Sequence, residues 1–95
     1  MAYDLGDVAM VAVTFYDANG VPADPTTVEL RVLRPDGTWV VYVYLVDLLL
    51  IRDAAGEYHR DLDMNVAGLW CCRWVATGVV QAAVQIKLWV DAACV

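Results

Sequence analysis

Turn punctuation constrains this chain more than any other feature. Clusters of Gly, Pro, Asn and Asp recur about every 8–12 residues, and the runs between them are short, β-prone and alternating. Val28 to Arg34 shows the pattern: Val28, Leu30 and Val32 share one parity, while Glu29, Arg31 and Arg34 are polar and Leu33 interrupts the polar side. Val8 to Phe15 places Val11, Val13 and Phe15 on an inward face. Glu57 to Met64 sets Tyr58, Arg60, Leu62 and Met64 against a wet face of Glu57, His59, Asp61 and Asp63. Leu69 to Val75 turns Trp70, Cys72 and Trp74 one way, and Val79 to Val90 sets Val84, Ile86, Leu88 and Val90 against Gln85, Lys87 and Trp89. No stretch sustains the 3.6-residue period of an amphipathic helix.

The joints carry turn chemistry. In Asp17-Ala18-Asn19-Gly20 the Asn-Gly pair suits positive φ angles. Pro22 and Pro25 keep the next stretch out of a central strand. Pro35-Asp36-Gly37-Thr38 reverses the chain, as do Arg52 to Gly56, Asn65 to Gly68 and a hairpin tip at Ala76-Thr77-Gly78. About seven short strands separated in this way describe an all-β sandwich. At 95 residues there is room for one core, so residues 1–95 form a single domain.

Composition narrows the function classes. Hydrophobic residues make up 61% and charged residues 19%, which excludes disorder. The net charge of −6 leaves no basic surface for neutralising phosphates, so nucleic acid is not an expected partner. The chain has no Ser, one Lys (Lys87) and one His (His59). Its N-terminus carries Asp4 and Asp7 and no basic segment, unlike a secretory signal. The longest apolar run, Trp39 to Ile51, is interrupted by Asp47 and falls short of the roughly 18 apolar residues of a membrane helix. No membrane insertion is expected.

The candidate chemical groups are sparse. Asp61 and Asp63 share a strand face with His59, but nothing apolar encloses them to shift their ionisation. Asp17, Asn19 and Asp24, with Asp4 and Asp7, offer oxygens for calcium, yet Asp-x-Asn-Gly lacks the rest of a calcium loop and its closing Glu. Of the three cysteines, Cys71 and Cys72 are adjacent and point to opposite strand faces. With a hairpin about Gly78, Cys72 pairs near Val84, and Cys94 then lies about 33 Å along the strand, too far for a bridge within the chain unless the tail folds back; a bond between chains through Cys94 or Cys71 stays open. No helix N-terminus or neighbouring His activates a thiol. The expectation is no catalytic residue, no cofactor and no metal.

Several fragments in order resemble a small immunoglobulin-like domain of phages and prophages, especially those of actinobacteria. They are Tyr3-Asp4-Leu5-Gly6-Asp7, Asp17-Ala18-Asn19-Gly20 with Pro22 and Asp24-Pro25-Thr26, Arg34-Pro35-Asp36-Gly37-Thr38, Gly56-Glu57-Tyr58-His59, Ala67-Gly68-Leu69-Trp70, and Arg73-Trp74-Val75-Ala76-Thr77-Gly78. The resemblance implies an immunoglobulin-like sandwich used in a virion as a structural, decoration or tail accessory module, located in the particle or in the host cytoplasm during assembly. It brings no catalytic set.

Against that family, outward strand positions here are apolar. Trp39, Val41, Val43 and Leu45 share one face of a strand that is apolar on both sides; Leu33 and Trp89 extend the stripe, and Leu48, Leu49 and Leu50 follow it. Monomers rarely expose apolar patches above a few hundred Å². These nine residues form the candidate protein interface, implying self-association, assembly or a protein partner. The same pattern fits an engineered binder with a redesigned apolar surface, or a carbohydrate or host-surface binder stacking sugars on Trp39 or Trp89.

Overall fold

Eight strands form in the computed structural model, which describes residues 2–78 and 80–92: β1 (Ala2–Asp4), β2 (Val8–Thr14), β3 (Thr27–Leu33), β4 (Trp39–Val43), β5 (Ile51–Ala54), β6 (Glu57–Asp63), β7 (Gly68–Thr77) and β8 (Ala82–Asp91). They build a five-stranded sheet in the order β1-β8-β7-β3-β4 and a three-stranded sheet in the order β2-β6-β5. All pairings are antiparallel except that of β1 with β8. Among the described residues there is no helix, hence none long and apolar enough to cross a membrane.

The inward parities follow the alternation. Ala9, Val11, Val13 and Phe15 face Val28, Leu30 and Val32, with Tyr58, Leu62 and Met64 from β6 and its C-terminal end. Trp70, Cys72, Trp74 and Ala76 from β7 and Leu88 and Val90 from β8 complete one continuous core. Val40, Tyr42 and Tyr44 pack on its edge, so the odd residues of β4 face outward. Tyr44 sits edge-on to Tyr58 at 5.1 Å between ring centres.

Polar anchors fix the corners. The Asp24 carboxylate accepts hydrogen bonds from both ends of the Arg52 guanidinium (3.0 and 2.9 Å), from the Gly56 amide (2.9 Å) and from the Tyr58 hydroxyl (3.1 Å). Gly56 has φ +75°, and a Cβ there would stand 2.5 Å from the Phe15 carbonyl oxygen, so only glycine admits this approach of two backbones.

Several expectations need correction. Residues 52–54 lie in β5 and not in a turn, because the strand pairs with β6 through Arg52–Tyr58 and Ala54–Glu57. Ala76 and Thr77 remain in β7, which moves the hairpin turn later and makes Ile86, not Val84, the partner of Cys72. β4 ends at Val43, since the next residues turn towards the other sheet. In the Asp17–Gly20 turn only Gly20 takes positive φ. The short β1, which borrows the free edge of β8, was not anticipated. Cys94 lies outside the described residues; Cys71 and Cys72 are free thiols.

Candidate functional site

The outer face of the five-stranded sheet brings together most of the expected interface residues. Register places Leu33 directly between Trp39 on β4 and Cys71 on β7. Two residues back along β7, Leu69 stands opposite Trp89 on β8. An apolar path therefore crosses four strands: Trp39, Leu33, Cys71, Leu69, Trp89. Trp39 is 66% exposed, Trp89 50% and Leu69 45%, so the path is open to solvent. Val41 is exposed beside Trp39, and Val43 is half-buried.

A charged row lies alongside it. Arg31 and Arg73 stand directly opposite each other on β3 and β7, and Lys87 is opposite Cys71. Like charges in cross-strand register are destabilising. Arg31 is relieved by Glu29 at 3.3 Å, whereas Arg73 and Lys87 form no ion pair among the described residues. A hollow of about 210 Å³ opens between Arg31, Leu33, Trp39, Cys71, Arg73 and Gln85. Trp89 donates its indole N–H to Asp91 (2.8 Å), which pins that ring at the far end of the path.

The β4–β5 connection adds a second apolar element. Leu45, Val46, Leu48 and Leu49 are among the most exposed large hydrophobic residues described. Leu50, also expected at the interface, is instead 3% exposed and belongs to the core: the chain has crossed to the other sheet by that point and turns this side chain inward. The loop is anchored from below. Arg60 donates to Asp47 at 2.7 Å, and its guanidinium lies over the Tyr42 ring at 3.6 Å from the ring centre. Burial raises the Asp47 pKa, but the Arg60 guanidinium and the Leu49 amide outweigh it and hold the carboxyl below its ordinary value. Leu45 has φ +75° and is the one non-glycine residue with positive φ among those described. Such a conformation costs about 1–2 kcal/mol for a residue with a Cβ.

The remaining candidates resolve into structural roles. One oxygen of Asp17 accepts the Asn19 and Val21 amides, while Asp24 is saturated by Arg52, Gly56 and Tyr58. No group of three or more metal-ligating side chains occurs among the described residues. His59 meets Asp53 at 2.6 Å on the outer face of the three-stranded sheet. Cys72 is fully buried, and burial first, then the neighbouring Cys71, pushes its thiol up to about 11.

Sequence reasoning missed Leu69, Val46 and the cations Arg31, Arg73 and Lys87. Their alternation was visible, but the neighbours that join them across strands are set by sheet order. No protein-family model matches the chain, and neither the curated proteins nor the solved structures searched contain a match.

Proposed function

We propose that this chain is a non-enzymatic protein-interaction module, a structural, decoration or tail accessory domain of a phage particle. It docks through the outer face of its five-stranded sheet. The observation that carries the reading is the solvent-open path from Trp39 through Leu33, Cys71 and Leu69 to Trp89. Tryptophan is enriched at the energetic centres of protein interfaces, and an apolar belt with a charged border has the composition of such a surface. At about 25 cal/mol per Å², burying two such rings with their aliphatic neighbours contributes several kcal/mol before the costs of association. The strained Leu45 adds support, because its side chain is 78% exposed despite the cost of its backbone conformation.

The plan of the sandwich is taken as immunoglobulin-like. The strand orders support this: β2-β6-β5 corresponds to one immunoglobulin sheet, and β8-β7-β3-β4 to the other with its extra edge strand. Two hallmarks depart from it. β2 has no cysteine to bridge to Cys72, and the core tryptophans stand on β7 instead of β3. The phage setting rests on the resemblance of the ordered turn motifs.

The test is Trp39→Lys/Val41→Lys, which changes two exposed side chains, analysed by sedimentation velocity beside the wild type in reducing buffer. The wild type should exceed the 10.5 kDa protomer mass as concentration rises, and the folded variant should not. A variant that unfolds would show that the face belongs to the core. A wild type that stays monomeric would contradict the assembly reading and leave the face to a foreign target, as on an engineered binder.

A further inference from the structure

Resting on that reading, we propose that the occupant of the five-stranded face is the opposite face of a second copy of this chain. The two outer faces are complementary. On the three-stranded sheet, Glu57, Asp61 and Asp63 point outward from β6 and form no side-chain ion pair or hydrogen bond among the described residues. On β2 beside them, Val8 is paired with Asp63; Met10 is paired with Asp61, and the two are 59% and 62% exposed. An acidic row thus runs next to an apolar row. On the five-stranded sheet the cationic pair of Arg31 and Arg73 runs next to the apolar path of Trp39 and Leu33, and Lys87 stands opposite Cys71 at the end of that apolar row.

The distribution of charge is uneven in a telling way. Of the six basic residues, Arg31, Arg52 and Arg60 are in ion pairs, and Arg34 lies over the Trp70 ring and donates to Thr38. The two with no ion pair, side-chain hydrogen bond or ring contact among the described residues, Arg73 and Lys87, both stand on the outer face of the five-stranded sheet. The three unpaired acids of β6 all stand on the outer face of the other sheet. Successive residues on one face of a strand are about 7 Å apart, so Asp61 and Asp63 repel each other; Arg31 and Arg73 meet across strands, and Glu29 lessens but does not remove their repulsion. Stacking one copy's acidic row on the next copy's cationic row relieves both repulsions and covers both apolar rows. At physiological salt the Debye length is about 8 Å, which screens the overall repulsion between chains of net charge −6 but spares pairs in contact.

Such a contact joins two different patches, so it is heterologous, and it propagates into rings or filaments instead of stopping at a two-fold dimer. The experiment uses two charge-reversed proteins. One is Arg31→Glu/Arg73→Glu, which keeps its acidic face. The other is Asp61→Lys/Asp63→Lys, which keeps its cationic face. Each is checked for folding by circular dichroism, with Arg73→Glu/Lys87→Glu replacing the first if it does not fold. By light scattering after size exclusion, the wild type should grow beyond a dimer, and each variant alone should stay at the 10.5 kDa protomer mass. An equimolar mixture of the two should again grow beyond a dimer, because the two unaltered faces pair and the two reversed faces are also opposite in charge; a mixture that stays at the protomer mass would overturn the inference. Wild-type growth that is lost in Trp39→Lys/Val41→Lys but unchanged in Asp61→Lys/Asp63→Lys would overturn the second-face inference and leave the interaction reading standing. Growth unaffected by Trp39→Lys/Val41→Lys would remove the interaction reading itself.

Discussion

Trp70 and Trp74 occupy equivalent inward positions of β7, both at most 1% exposed, yet their indole N–H groups differ in fate. Trp70 donates to the Val66 carbonyl at 2.9 Å, whereas the Trp74 N–H has no acceptor among the described residues. Replacing either by Phe removes about two ring carbons, a loss of roughly 2 kcal/mol with the cavity included. Trp70→Phe also loses a hydrogen bond worth about 1 kcal/mol and weakens the contact with Arg34, whose guanidinium lies 5.8 Å from the ring centre. Trp74→Phe removes a buried donor whose lack of a partner costs about 1–3 kcal/mol. The common loss cancels in the comparison. Trp70→Phe should therefore destabilise the domain by about 3 kcal/mol and Trp74→Phe by about 1 kcal/mol or less. For a domain with roughly 5–15 kcal/mol in total, that gap of about 2 kcal/mol is large. Urea unfolding followed by far-ultraviolet circular dichroism measures it without relying on tryptophan emission. Equal losses, or a larger loss at Trp74, would refute the reasoning and mean that the Trp74 N–H is satisfied.

Leu45→Gly should stabilise the fold by about 1 kcal/mol by relieving the positive φ, while weakening association; a loss of stability in the same urea assay would show that the side chain packs. Acid should destabilise the domain. Hydrogen bonds from Arg52, Gly56 and Tyr58 hold Asp24 well below its ordinary value, and the hydroxyl and amide of Thr38 lower Asp36. Their contribution is complete above the unfolded carboxyl pKa near 4 and is lost as pH falls through the folded values, so the thermal midpoint should drop below about pH 4, and less steeply in Asp24→Asn. Alkali should act through Tyr58, pushed up to about 12 by burial and then by its bond to Asp24. That contribution is complete below about pH 10 and declines as pH rises towards the folded value. In Cys71→Ala, iodoacetamide should leave Cys72 unmodified in native buffer and label it in urea, as read by mass spectrometry of the peptide; rapid native labelling would contradict its burial.

What the sequence made legible follows from where a single strand carries enough information. Clean alternation over Val28–Val32 and Glu57–Met64, and the spacing of Trp70, Cys72 and Trp74, fixed the inward faces because polar residues marked the wet side. β4 is apolar on both parities, so its orientation needed the structure, where Tyr42 and Tyr44 pack inward and release Trp39 and Val41. Leu50 shows the limit. Three consecutive leucines read as one unit, but the loop turns the third into the core. The short β5 and β1 carry too few residues for alternation to declare them. The cationic row could not be read from any one strand, since Arg31 and Arg73 are 42 positions apart (73 − 31) and meet only through the pairing of β3 with β7.

The central claim is that the outer face of the five-stranded sheet is an interface. The most direct measurement is a dilution series of amide nitrogen–proton correlation spectra on the labelled protein in reducing buffer. As concentration rises, the signals of Leu33, Trp39 and its indole, Val41, Leu69, Cys71 and Arg73 should shift and broaden together. Spectra unchanged across the series, or changes confined to residues away from both outer sheet faces, would contradict the account.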